Sequence, residues 1–148
     1  MIAQGQKRPL GIAALSVFFL VGSLISFTAG VMLLVQGGVL EPMWRLNPHG
    51  HEGLLRIGLW GVVLLFGAAT LCAAAAIGLW RRAGWGHKIA IALIAINLLG
   101  DLVNTILGTE PRAIVGVPIT LALLFYLMTK RVRNYFARRT ADSAVRWQ

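Results

Sequence analysis

The chain has 148 residues, of which 57% are hydrophobic and only 13% are charged, and its net charge is +9. Soluble globular proteins are typically about 45–50% apolar and about 25% charged. The composition therefore excludes an ordinary soluble domain, which would expose large apolar patches, and indicates a protein with lipid as its solvent. The single cysteine, Cys72, can form no internal disulfide, and we interpret it as a small packing residue.

Four apolar stretches are predicted to be transmembrane helices, at about residues 10–35, 55–80, 87–108 and 111–130. A bilayer core of about 30 Å requires roughly 20 helical residues. The fourth stretch is short, but Arg112 and Lys130 at its ends can snorkel to the interface. The first is too long for a cleavable signal peptide and lacks a small-residue cleavage site. The predicted fold class is all-α, an integral membrane four-helix bundle that forms a single domain over residues 1–148.

The distribution of basic residues predicts that both termini face the cytoplasm (N-in/C-in). Of the 14 lysines and arginines, eleven lie in the N-terminal segment, the second loop and the tail, whereas three lie in the other two loops. Short loops rich in Lys and Arg stay on the cytoplasmic side. The eleven are Lys7, Arg8, Arg81, Arg82, Lys88, Lys130, Arg131, Arg133, Arg138, Arg139 and Arg146, and the three are Arg45, Arg56 and Arg112.

The outer loop between the first and second helices, residues 37–53, is predicted to be irregular because it is rich in proline and glycine. It contains His49, His51 and Glu52, which are suitable ligands for zinc, although no fourth ligand is evident. The alternative is that these polar residues cap the start of the second helix.

The third helix carries an unusual polar face. Asn97, Asp101 and Asn104 are spaced i, i+4 and i+7, which places them on one side of a helix. A carboxylate that faced lipid would cost at least about 2.5–3.5 kcal/mol. We therefore expect Asp101 to face the helix bundle.

Two further residues are predicted to join this intramembrane polar cluster. Pro118 lies at nearly the same distance from the turn near Glu110 as Asp101 does, and its missing N–H leaves the carbonyl of Ile114 without a helical partner. Arg56 enters from the outer surface as a possible counter-ion. The cluster has three interpretations: a buried ion pair that fixes helix register, a proton, ion or polar-ligand site, or a contact with another subunit.

Small residues on the first helix predict close helix packing. Gly22, Ser26 and Gly30 are spaced i, i+4 and i+8, a pattern that lets neighbouring backbones approach. The pattern fits ordinary packing within the bundle or a dedicated face for self-association.

The basic tail, residues 131–148 together with Lys130, is predicted to bind anionic lipid headgroups at the cytoplasmic face. Its candidate headgroup ligands are Lys130, Arg131, Arg133, Arg138 and Arg139. An acidic partner protein is the alternative. Nucleic acid is not expected, because the same charges set the membrane topology.

We expect no cofactor and no catalytic activity. His87 is predicted at the cytoplasmic surface, whereas His49 and His51 are predicted at the outer surface, so they cannot share a haem within one chain. The sequence has no glycine-rich phosphate loop, no paired cysteines and no Ser-His-Asp set that the topology would bring together.

Several stretches together resemble an uncharacterised family of small bacterial inner-membrane proteins with four predicted transmembrane helices. They are MWRLNPHGHEGLL from Met43, GLWRRAGWG from Gly78, NLLGDLVN from Asn97 and GVPI from Gly116. The resemblance implies a bacterial inner-membrane location and four spans, and it implies no activity.

Three functions are compatible with these features. The first is an accessory or structural subunit of a homo- or hetero-oligomeric membrane complex. The second is a small oligomeric transporter or channel that uses Asp101, Asn104 and Pro118. The third is a membrane sensor whose periplasmic loop uses His49 and His51.

Overall fold

A computed structural model of the chain describes residues 10–35, 41–107 and 113–136. Within these ranges the chain is helical and contains no strand. The helices are α1 (Leu10–Leu34), the short 3₁₀ helix η1 (Glu41–Leu46), α2 (Pro48–Arg56), α3 (Leu59–Trp80), α4 (Gly84–Leu107), α5 (Ala113–Met128) and α6 (Lys130–Phe136).

Three helices are long and apolar enough to cross a membrane, namely α1, α3 and α4. A fourth span results if α5 and α6, which are bent by 55° relative to each other, are taken together. The all-helical prediction and the presence of three to four membrane-capable helices are thus confirmed for the described part of the chain. The second loop is shorter than predicted, because α4 already begins at Gly84.

The connection between α1 and α3 is more ordered than predicted. Residues 41–56 form η1 and α2 instead of an irregular loop. Asn47 caps α2, since its side-chain oxygen accepts a 2.8 Å hydrogen bond from the backbone N–H of Gly50. Pro48 occupies the first turn, where proline is favoured because its missing N–H has no intrahelical partner. Asn47 and Pro48 therefore start a helix within the segment that was predicted to be irregular.

Pro118 does not end α5. The helix continues from Ala113 to Met128 with Pro118 inside it, and the bend of 55° lies between Met128 and Lys130. This bend lies ten residues beyond Pro118. A proline in the second turn of a helix removes an early hydrogen bond without interrupting the later ones. At the bend itself, the N–H of Thr129 donates to the carbonyl of Tyr126, a tighter pairing than in an α-helix.

The chain divides into two compact units, Val17–Ala73 and the remainder. In the first unit α1 packs against α3 through small residues. The hydroxyl of Ser23 donates a 2.8 Å hydrogen bond to the carbonyl of Ala69. A Cβ added to Gly22 would lie 3.9 Å from the sulfur of Cys72, and one added to Gly30 would lie 3.4 Å from Phe66. Gly22 and Gly30 thus lie on the face towards α3, whereas self-association through the same face, including Ser26, stays a prediction.

The second unit contains the start of α1, the end of α3, and α4, α5 and α6. Its most extensive helix pair is α4 with α5. The ring of Tyr126 on α5 lies directly on Gly11 of α1, where any side chain would overlap with it. The buried apolar residues of this unit are Ile12, Leu15, Ala75, Ala76, Leu79, Ala90, Ile94, Leu127, Val132 and Phe136.

Candidate functional site

Asp101 of α4 faces α5, as expected from the cost of placing a carboxylate in lipid. A Cβ added to Gly116 would lie 2.6 Å from Oδ2 of Asp101, so the carboxylate rests directly on the glycine backbone. Any larger residue at position 116 would displace it. The Asp101 side chain is half-buried, and within its own compact unit it has no ion-pair partner among the described residues.

The predicted partners of Asp101 on α4 are only partly assembled around it. The amide of Asn97 donates to Oδ2 of Asp101 over 3.4 Å, a long and weak hydrogen bond. The hydroxyl of Thr105 donates to the backbone carbonyl of Asp101 at 2.7 Å. Asn104 is half-buried on the same face. The polar face of α4 therefore exists as a stripe whose centre, Asp101, packs against α5.

Part of this polar stripe is exposed on the surface of the protein. Asn97 is exposed near the middle of α4, beside the exposed apolar residues Ile96 and Leu99. Of the three membrane-capable helices, α4 buries the smallest share of its apolar segment. In a bilayer this surface would face either lipid or another helix.

The other two predicted members of the cluster are Pro118 and Arg56. Pro118 is exposed on α5, two residues beyond the glycine that Asp101 contacts. The hydroxyl of Thr120 donates to the carbonyl of Gly116 at 2.8 Å. Arg56 is exposed at the C-terminal end of α2, in the other compact unit. An ion pair between Arg56 and Asp101 stays a prediction.

The histidines of the outer connection do not form a metal centre with Glu52. His49 and Glu52 are exposed, whereas the ring of His51 stacks on Trp44 at 4.5 Å between centroids. Residues two apart in a helix point in different directions, which separates His49 from His51. Across the described ranges, no group of three histidine, cysteine, aspartate or glutamate side chains is placed to hold a metal ion.

A second polar feature, which sequence reasoning missed, lies where α6 folds against the start of α4. We call it the elbow and define it by His87, Leu127, Tyr135, Phe136 and Arg82. His87 is buried, and its Nε2 lies 2.9 Å from the carbonyl of Leu127. Leu127 is in the last turn of α5, where carbonyl groups lack intrahelical partners. The imidazole N–H therefore caps α5 from a neighbouring helix.

Aromatic contacts complete the elbow. The His87 ring stacks on Phe136, with 4.9 Å between centroids, and Phe136 meets Tyr135 edge to face at 5.3 Å. The guanidinium of Arg82 lies 5.2 Å from the centre of the Tyr135 ring, a cation–π contact. These contacts fix α6 against the loop between α3 and α4. No spacing rule links residues 82 and 87 to residues 135 and 136, so the sequence pattern alone could not reveal the elbow.

The hydroxyl of Tyr135 is a locally unsatisfied group. Its oxygen is buried, and among the described residues it is the one buried side-chain oxygen or nitrogen without a hydrogen-bond partner. An unpaired buried hydroxyl costs about 1–3 kcal/mol. We therefore expect Tyr135→Phe to leave the thermal stability of the solubilised protein unchanged or to raise it. Tyr135→Ala, which also removes the ring beneath Arg82, should lower it. A lower melting temperature for Tyr135→Phe would contradict this account.

Three of the four exposed residues of α6 are basic, and the fourth is Asn134. Lys130, Arg131 and Arg133 all point away from the buried side of the helix, which is formed by Val132 and Phe136. Arg138 and Arg139, the other predicted headgroup ligands, lie outside the described residues.

Comparison with known proteins found no relative, since no family model, no curated protein and no solved structure matches the chain.

Proposed function

We propose that this chain is an accessory subunit of a bacterial inner-membrane complex, with both termini in the cytoplasm, and that it assembles with other subunits through the polar face of α4. The positive-inside asymmetry supports the orientation. The single observation that supports assembly is the exposure of Asn97 at the middle of a membrane-capable helix, next to the half-buried Asp101.

The physical reason is the cost of leaving polar groups in hydrocarbon. A primary amide has two N–H donors and a carbonyl acceptor, and in lipid none of them can bond to water. The hydrogen bond to Asp101 is long and uses one donor at most. A second transmembrane helix that brings an amide, hydroxyl or backbone carbonyl to this face would satisfy the remaining groups. A second copy of the chain is one such partner, since an asparagine can pair with another asparagine.

The decisive experiment is native mass spectrometry of the particle after gentle solubilisation, for the wild type and for Asn97→Leu. Interhelical hydrogen bonds in membranes average about 0.6 kcal/mol and reach about 1.7 kcal/mol, so Asn97→Leu should weaken assembly roughly three- to twentyfold. Leu99→Ala is the matched control, because Leu99 is exposed on the same helix and apolar. It should leave assembly intact.

Each result has a defined meaning. A wild-type particle that contains other membrane proteins or further copies, and that dissociates in Asn97→Leu, supports the proposal. A wild-type particle that is monomeric at all protein concentrations contradicts it. So does an assembly that Asn97→Leu leaves unchanged.

A small oligomeric transporter or channel is the second candidate. The observation that favours it is the contact between the Asp101 carboxylate and the Gly116 backbone, which leaves a half-buried ionisable group on a membrane-capable helix. If this candidate is right, proton-linked flux in proteoliposomes should vanish in Asp101→Asn while assembly persists. The sensor hypothesis has no comparable support, because His49 and His51 lie on different sides of α2.

A further inference from the structure

We propose that the exposed cations of α6 (Lys130, Arg131 and Arg133), together with Arg82 of the adjoining elbow, bind the phosphate headgroup of an anionic inner-leaflet lipid. This inference does not depend on how the chain assembles with other subunits. It depends on the placement of α6 relative to the membrane-capable helices of its own compact unit.

The first argument is the division of α6 into two sides. Val132 and Phe136, four residues apart, are almost completely buried against the protein. Lys130, Arg131 and Arg133 are exposed. A free amphipathic helix binds a membrane by inserting its apolar side into the lipid, with its basic side towards the headgroups. In α6 the apolar side already packs against protein, so the cations are held on the exposed surface of the helix.

The second argument is the depth of α6. At about 1.5 Å per residue, the 16 residues of α5 rise about 24 Å, which is less than the roughly 30 Å thickness of a bilayer core. A bend of 55° follows immediately, so α6 turns away from the α5 axis close to the membrane surface. The start of α6 would then lie about 6 Å below the headgroups, a distance that the long side chain of Lys130 can span by snorkelling.

The third argument is the strained backbone of Arg82. The N–H of Ala83 donates to the carbonyl of Gly78 and that of Arg82 to Leu79, the hydrogen-bond pattern of a Schellman motif. The left-handed position of this motif usually belongs to glycine, but here Arg82 adopts a φ of 59°. A non-glycine residue costs about 1 kcal/mol or more in this conformation. The Arg82 side chain makes a cation–π contact with Tyr135 that glycine could not make, and this contact directs it towards α6.

These features favour a lipid over an acidic protein as the source of the negative charge. The cations begin two residues after the end of the apolar helix α5, and Tyr135 lies half-buried among them. Aromatic side chains are enriched at this depth of a bilayer. Each basic residue near an anionic surface contributes about 1 kcal/mol.

The test is native mass spectrometry of the full-length protein in a neutral detergent, with dioleoyl-phosphatidylglycerol and dioleoyl-phosphatidylcholine added in competition. We expect the wild type to retain phosphatidylglycerol preferentially. The variant Arg131→Gln with Arg133→Gln should lose roughly ten- to thirtyfold of this preference. The matched control is Arg45→Gln with Arg56→Gln, which also removes two exposed arginines and should retain the preference within about twofold.

A charge-preserving variant tests whether a lost lipid preference reflects a folding defect. Arg131→Lys with Arg133→Lys should keep most of the phosphatidylglycerol preference, because a lysine ammonium still binds phosphate. The proposal is overturned if the glutamine variant retains the wild-type preference, or if the control pair loses as much. It is also overturned if the glutamine variant loses a co-purifying acidic protein but no lipid.

Discussion

Replacing Gly86 with alanine should disrupt the packing of α3 against α4 and lower the yield of folded protein sharply. The added Cβ would overlap the backbone Cα and carbonyl carbon of Gly78, and backbone atoms cannot swing aside as a side chain can. Overpacking typically costs about 1–3 kcal/mol, and more where backbones must separate. We expect the purified variant to show a melting temperature several degrees below the wild type, measured by thermal unfolding in detergent.

Gly100 provides the matched control on the same helix. A Cβ added there meets no atom within 4 Å, so Gly100→Ala introduces no clash. Alanine is also favoured over glycine inside a helix by roughly 0.5–1 kcal/mol. Gly100→Ala should therefore be as stable as the wild type or slightly more stable. Equal melting temperatures for the two alanine variants would show that the close approach of Gly78 and Gly86 does not support the fold.

The membrane-capable helices could be predicted from the sequence because hydropathy acts over long windows. The predicted span at 55–80 corresponds to α3, Leu59–Trp80, and the span at 87–108 corresponds to α4, Gly84–Leu107. The start of α4 was missed because Gly84, Trp85 and Gly86 resemble a loop in composition. Their glycines instead serve the close contact with α3, a role that only the packed structure reveals.

The face of Asp101 could likewise be predicted, whereas its contact could not. The i, i+4, i+7 spacing and the cost of a lipid-facing carboxylate directed Asp101 towards a neighbouring helix. Counting residues from the turn matched it to the level of Pro118, but the rotation of α5 about its own axis brings Gly116 against the carboxylate and leaves Pro118 exposed. Helix rotation depends on the packing of all neighbours, which no local pattern in one helix encodes.

The elbow could not be predicted from the sequence, for a different reason. His87 follows a basic loop and resembles a surface residue, and the tail around Phe136 resembles a solvated basic segment. Their contact joins parts of the chain about 50 residues apart in sequence. Such a pairing depends on the bend after Met128, which the sequence marks with neither proline nor glycine.

The elbow leads to the second large expected effect: His87→Leu should release α6 from the rest of its compact unit. Leucine has a volume similar to that of histidine. It lacks the N–H that caps the carbonyl of Leu127 and the ring that stacks on Phe136. Loss of a buried hydrogen bond that leaves its acceptor unpaired costs about 1–3 kcal/mol. If α6 opens and closes faster than trypsin cuts it, cleavage at Arg131 and Arg133 should accelerate about 5- to 150-fold.

Two further variants separate this effect from a general loss of stability. Lys88→Leu changes the next residue, which is exposed, and should leave cleavage at Arg131 and Arg133 at the wild-type rate. His87→Gln retains an N–H donor and should cleave at an intermediate rate, since an amide can still reach a carbonyl although it cannot stack as well. If His87→Leu were cleaved no faster than Lys88→Leu, α6 would be held by Val132 and Phe136 alone. The exposure of its cations would then follow from apolar packing, and the histidine cap would be dispensable.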